Sequence, residues 1–147
     1  NLFLIDNYDN KYTYSDFYLS ALKLIKYLDG KSVKTSSKIL IIKENSFDYL
    51  IILYACLLGG YVACPIDPTL KKEKIIELKK LYKIDYTIES TDKINYKKCK
   101  ADSDLIGYEN TDCLIIGSSG TTGDPKGILF SSDSILSSAQ SFSQLDL

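Results

Sequence analysis

The chain holds 147 residues, one domain's worth, and its 45% apolar and 25% charged residues are the balance of a globular protein able to bury a core. A net charge of -1 leaves no electrostatic footprint for nucleic acid or an anionic membrane. All 18 basic residues are lysines and histidine is absent. No Ser-His or Cys-His catalytic pair can therefore be built, and a bound phosphate must be met by lysine, hydroxyls and backbone N–H groups.

In chain order, LFLID at 2–6 reads as a short strand and YDNKY at 8–12 as a turn. Thr13-Tyr14-Ser15-Asp16 has the form of a capping box, and Phe17, Ala21, Leu24, Ile25 and Leu28 recur at helical spacing up to Gly30. KILIIK at 38–43 is a continuous apolar run, the pattern of a strand covered on both faces. Asn45 or Ser46 caps a helix over 46–58, YVACPI follows as a strand, and Asp67-Pro68-Thr69 opens a helix over 69–82. The lysines at 71, 72, 79 and 80 form that helix's solvated face, and DYTIE at 85–89 is the next strand.

From Tyr49 to Ile66 the chain carries no charge for 18 residues, the lower limit for a membrane-spanning helix. Gly59-Gly60 divides the run and Pro65 sits near its end, so it reads as a buried helix followed by a buried strand. The start, NLFLIDNYDN, lacks the basic region and long apolar core of a signal peptide, and Asn1 suggests a start inside a longer gene product. Cys56, Cys64, Cys99 and Cys113 form no C-x-x-C pair, and with no histidine beside them no metal site is assigned. Reduced thiols in a cytoplasmic protein are expected.

Strand, helix, strand, helix, strand is the order of an α/β fold with a parallel sheet and crossover helices. Residues 91–112 are polar and irregular, a long surface connection. The apolar run CLII then leads into GSSGTTGDPKG at 117–127, and GILFS resumes as a strand. The serine-rich tail from Ser131 places Ile135, Leu136, Ala139 and Phe142 at helical spacing. The helix at 46–58 is apolar nearly all round and needs cover on every side. Where part of that cover belongs to a missing portion of the protein, self-association of the truncated chain is expected.

The stretch at 117–127 carries the chemistry. Its glycines let the backbone approach a ligand closely, so that successive N–H groups converge on an anion. Serine and threonine hydroxyls add donors, and Lys126 supplies one mobile positive charge after the stiffening Pro125. The bland alternative is a flexible Gly/Ser/Thr connection, but flanking strands and Pro-Lys-Gly are not linker chemistry. A di- or triphosphate fits the donor set best. Neither G-x-x-x-x-G-K-[ST] nor G-x-G-x-x-G is present, so a P-loop NTPase and a dinucleotide fold are not indicated.

SSGTTGDPKG closely resembles the phosphate-binding signature of the adenylate-forming superfamily, which includes acyl-CoA synthetases, luciferases and nonribosomal peptide synthetase adenylation domains. YTYSDF at 12–17 resembles an early family segment, TYxEL, and LLGGYVACPIDPT at 57–69 resembles LKAGxAYVPIDP, both in the family's order. A departure is Ser132, where many members carry histidine. The resemblance implies a three-layer, parallel-sheet N-terminal subdomain, with 1–147 as a partial AMP-binding domain truncated after the phosphate loop. The core and substrate half and the C-terminal lid would be absent. It implies that Ser118, Ser119, Gly120, Thr121, Thr122, Gly123 and Lys126 embrace the β- and γ-phosphates of ATP, with Mg²⁺. A carboxylic or amino acid would attack the α-phosphate to give an adenylate and pyrophosphate. Coenzyme A or a carrier-protein phosphopantetheine would then accept the acyl group. No catalytic residue is assigned within these residues, and the fragment alone should be inactive. Two other classes stay open: a nucleotide-binding or regulatory module that does no chemistry, and a phosphate-loop enzyme such as a small kinase, which would release ADP.

Overall fold

The computed structural model describes residues 2–6, 9–89, 112–119 and 125–143. Two sheets organise them. β1 (Leu2–Ile5) and β2 (Lys11–Thr13) pair antiparallel in a small ribbon. A five-stranded sheet runs β5-β3-β4-β6-β7, where β3 is Lys38–Ile42, β4 Val62–Ile66, β5 Tyr86–Ile88, β6 Asp112–Ser119 and β7 Pro125–Ser131. β5, β3, β4 and β6 are mutually parallel, and β7 returns antiparallel to β6. The expected parallel neighbours, 38–43 beside 62–66 and 85–89, are thus present.

Residue alternation along β3 shows how the layers form. Ile39 and Ile41 point into one core with α1 (Tyr14–Gly30) and α2 (Phe47–Leu58); Leu40 points into a second core with α3 (Lys72–Tyr82). Neighbouring residues on a strand face opposite sides, so KILIIK must be apolar throughout. The chain moves from β3 to β4 over α2, then back past β3 to β5 over α3. That reversal leaves helices on both faces of the sheet.

The helix starts follow local chemistry. Thr13 caps α1, its side chain accepting from the Asp16 backbone N–H at 3.1 Å while the Asp16 carboxylate accepts from the Thr13 backbone N–H at 3.0 Å. The predicted capping box is therefore formed. Ser46, of the two candidates, caps α2 by accepting from the Tyr49 N–H at 3.1 Å. α3 begins at Lys72 and not at Thr69, because the Asp67 side chain accepts from both the N–H and the hydroxyl of Thr69, closing a turn before the helix. Thr13 also ends β2, a strand where the turn was expected to run on: Asn10 closes that turn with two donations to Asp6, and Lys11–Thr13 already pair with β1. Tyr12 stacks on Phe47 at 3.7 Å and Phe3 on Phe17 at 4.4 Å, fastening the ribbon to α1 and α2.

No residue of α2 is exposed. Its cover comes from α1 on one side and β3, β4 and β6 on another, so much of the apolar face from which self-association was expected is packed within the fold, with Leu53, Tyr54 and Leu58 half-buried. Between α2 and β4, Gly60 adopts φ 69°. A Cβ on Gly59 would lie 2.5 Å from the Tyr61 ring and 2.9 Å from the Ala55 carbonyl oxygen. The Gly-Gly pair that splits the long uncharged run is thus required by the sharp passage from helix to strand. Among the described residues no helix is long and apolar enough to cross a membrane.

α4 (Ser132–Ser143) contains no buried residue. Its serines are satisfied locally: the hydroxyls of Ser138 and Ser141 donate to the carbonyls of Ser134 and Ser137 at 2.9 Å, one turn back. The connection expected at 91–112 lies, apart from Asp112, outside the described residues.

Candidate functional site

β6 carries the chain from the core to the candidate loop. Cys113 and Ile115 are buried in it, whereas Ile116 and Gly117 are exposed, so the strand leaves cover just as the glycine-rich stretch begins. β7 lies antiparallel against it with Gly117 opposite Gly127, Ser118 opposite Lys126 and Ser119 opposite Pro125. Directly opposed residues in such a pair sit roughly 4.5–5.5 Å apart at Cα. A serine and a lysine therefore flank the mouth of the loop as neighbours, although seven residues separate them in sequence. Of the predicted phosphate-binding residues, the structure brings together Ser118, Ser119 and Lys126. Gly120, Thr121, Thr122 and Gly123 lie outside the described residues.

The place of this stem in the sheet suits a ligand site. β3, β4, β5 and β6 are parallel, so their carboxyl ends share one edge, and β6 delivers the loop there. Open α/β sheets bind ligands beyond that edge because the strand ends and crossover loops leave a crevice. Two clefts occupy it: one of about 390 Å³ lined by residues including Lys43, Tyr49, Ile66 and Asp67, and one of about 340 Å³ bounded by Ile42, Glu44, Ser46 and Glu89. A third cleft, about 420 Å³, lies between Asp6 and the start of α2 at Ser46 and Phe47.

The electrostatics near the strand ends are mild. Asp67 is held below the ordinary carboxylate value by its hydrogen bonds from Thr69. Burial pushes the Cys64 thiol up to about 12 and raises Cys56 and Cys113 as well, which disfavours the reactive thiolate in all three. All three are free thiols. Among the described residues no group of three His, Cys, Asp or Glu could hold a metal ion. Ser132 is half-buried at the first position of α4.

Sequence reasoning missed what lies beneath the stem. The ring of Tyr82, the last residue of α3, packs against both Gly117 and Gly127. Its only signal in the sequence is helical spacing from Leu78, which reads as core and nothing more.

Comparison with known proteins now fits onto this geometry. The chain is 28% identical over 144 residues to gramicidin S synthase 2 of Brevibacillus brevis, covering 87% of this chain and 3% of that protein. It is 27% identical over 143 residues to gramicidin S synthase 2 of Aneurinibacillus migulanus, covering 86% of this chain and 3% of that protein. Among solved structures, the O-succinylbenzoate coenzyme A synthetase of Bacillus subtilis in complex with AMP superposes with a TM-score of 0.81 at 19% identity, over 99% of this chain and 43% of that one. The N-terminal domain of FACL13 from Mycobacterium tuberculosis gives 0.76 at 21% identity, over 95% and 42%. The chain thus spans a few per cent of its curated relatives and about two fifths of these structures, whose low identities establish the fold alone. The family model of the AMP-binding enzymes matches residues 2–111, from the β1–β2 ribbon through β5, and ends just before β6. The chain belongs to the AMP-binding enzyme family.

Proposed function

We propose that residues 1–147 form the N-terminal part of the AMP-binding domain of an ATP-dependent ligase. That ligase activates a carboxylic or amino acid as its adenylate and releases pyrophosphate. The observation that carries this reading is the opposition of Ser118 and Lys126 at the mouth of a glycine-rich loop, at the carboxyl edge of a parallel sheet. Ser118, Ser119, Gly120, Thr121, Thr122, Gly123 and Lys126 grip the β- and γ-phosphates, the Lys126 ammonium offsetting charge and the hydroxyls and backbone N–H groups fixing orientation. These groups hold the leaving pyrophosphate in line while the carboxylate attacks the α-phosphate.

Mg²⁺ suits such a site as an ion carried by the triphosphate, where it lowers the charge the carboxylate must approach. The acceptor in the second half-reaction is a thiol, that of coenzyme A or of a carrier-protein phosphopantetheine. The fold shared with a coenzyme A synthetase agrees with the first, and the resemblance of SSGTTGDPKG to the family signature with either. Three free buried thiols support a reducing, cytoplasmic setting. The test is carboxylate-dependent exchange of labelled pyrophosphate into ATP by the full-length protein, across a panel of carboxylic and amino acids. Exchange with at least one acid is expected. Nucleotide binding with no exchange, or release of ADP to a phosphoryl acceptor, overturns the reading.

A further inference from the structure

We infer that Tyr82 is a positioning residue for the phosphate loop, setting the height of the two-stranded stem from which that loop extends; this rests on the reading of 117–127 as a phosphate grip. Tyr82 is 6% exposed. A Cβ on Gly127 would lie 2.7 Å from its Cε1 and 3.3 Å from its Cδ1, and a Cβ on Gly117 would lie 3.1 Å from its hydroxyl oxygen. Gly117 and Gly127 are directly opposite each other in the β6–β7 register. The ring therefore spans both strands of the stem, its edge under β7 and its hydroxyl against β6. The next rung outward is Ser118 opposite Lys126, the first pair of the proposed grip.

Three observations separate this contact from ordinary core filling. Both stem residues lack side chains where the ring meets them, so backbone rests on the ring with nothing to repack between them. The Tyr82 hydroxyl is buried with no hydrogen-bond partner among the described residues, a cost that a phenylalanine would avoid. The backbone that carries the ring is capped. Lys83 takes a left-handed φ of 54°, its N–H bonds the Lys80 carbonyl at 3.2 Å, and the Ile84 N–H bonds the Lys79 carbonyl at 3.0 Å, so the helix end is locked at Tyr82. α3 and the loop stem, 35 and 45 residues apart in sequence, are thereby joined through one ring.

Removing the ring lets the stem sink toward α3 and displaces Ser118 and Lys126 from the phosphates. On this reading Ser118 and Lys126 hold the phosphates and not the carboxylate, so the carboxylate's own binding is left alone. The test uses the full-length protein and pyrophosphate exchange, with KM for ATP and for the carboxylate measured separately in Tyr82→Ala, Tyr82→Leu, Tyr82→Phe, Gly127→Ala and the Tyr82→Ala/Gly127→Ala double variant. Expected for alanine and leucine at 82 is a rise of about tenfold in the KM for ATP, within what a displaced binding group produces, and less than about twofold for the carboxylate. Tyr82→Phe, which keeps the ring edge under Gly127 but loses the hydroxyl against Gly117, falls between wild type and Tyr82→Leu. Gly127→Ala, which drives a methyl into the ring and to 3.0 Å from Ile115 Cγ2, is impaired alone and recovers in part in the double variant, where the Ile115 contact remains. The leucine variant keeps an apolar filler, so it reports even where alanine fails to fold. Equal rises in both KM values, or unchanged values, in Tyr82→Leu overturn the inference. Lys126→Ala run alongside separates the two readings. If it weakens exchange while the Tyr82 variants match wild type, the brace is wrong and the grip stands; if Lys126→Ala also matches wild type, the grip itself is wrong.

Discussion

Lys83→Gly is expected to stabilise the chain, although it removes a side chain and inserts glycine beside a helix. Lys83 holds φ 54°, a region that costs an L-residue roughly 1–2 kcal/mol and costs glycine nothing. Against that, glycine's extra freedom in the unfolded chain takes back about 0.4–1 kcal/mol. Losing one cation at the helix C-terminus takes back about 0.3 kcal/mol, with Lys79 and Lys80 still in the last turn. The backbone bonds from Lys83 to Lys80 and from Ile84 to Lys79 do not involve the side chain and persist. The net gain is about 0.5 kcal/mol, a rise of ~2 °C in melting temperature for a chain of this size. Lys80→Gly, three residues earlier and inside the helix, is the control and loses about 1 kcal/mol. Urea unfolding of wild type and both variants gives the comparison. Opposite signs are predicted; destabilisation by both would refute the left-handed cap, and with it the locking of Tyr82.

Other outcomes follow from the same structure. Thr13→Ala removes the side-chain half of the α1 capping box and should cost about 1 kcal/mol in urea unfolding. The partner carboxylate of Asp16 is held below its ordinary value of 3.8, chiefly by the Thr13 side chain and then its backbone. Its contribution is therefore present above that pH and lost as pH falls through the lowered folded value, so acid titration of stability should be flatter in Thr13→Ala. Cys56 and Cys64, raised by burial, should resist iodoacetamide at pH 8 in the folded chain and react in urea; labelling at the free-thiol rate without denaturant contradicts the packing.

How much of this was legible in the sequence depends on the range of the forces involved. KILIIK and VACPI declare themselves as covered strands because burial on two faces demands an uninterrupted apolar run, and their parallel order with YTI followed from the helices between them. Thr13 and Ser46 are caps whose partners lie three residues away, within reach of a motif. β2 was missed because Lys-Tyr-Thr has no strand signature of its own and exists by pairing with β1. Asp67 was misread because an Asx turn and a helix cap use the same side-chain chemistry, and here the turn came first. The cover of α2 was underestimated because, besides the adjacent β3 and β4, it comes from α1 and from β6, which lies more than fifty residues further on. At the site, the glycine-rich loop was marked out by its composition, and the pairing of Ser118 with Lys126 follows from the hairpin. Tyr82 was not, since an aromatic four residues from Leu78 looks the same whether it fills a core or carries a loop.

The central claim is that residues 117–127 grip the leaving phosphates of ATP. Carboxylate-dependent ATP–pyrophosphate exchange by the full-length protein, compared between wild type, Lys126→Ala and Thr121→Ala, tests it most directly. On that claim each substitution removes one phosphate donor, worth on the order of ~3 kcal/mol in preorganised sites, so exchange should fall about a hundredfold. The loss should appear in turnover while the KM for the carboxylate holds, because the loop meets the leaving group and not the acid. Wild-type exchange in both variants would reduce GSSGTTGDPKG to a turn between two strands and contradict the account.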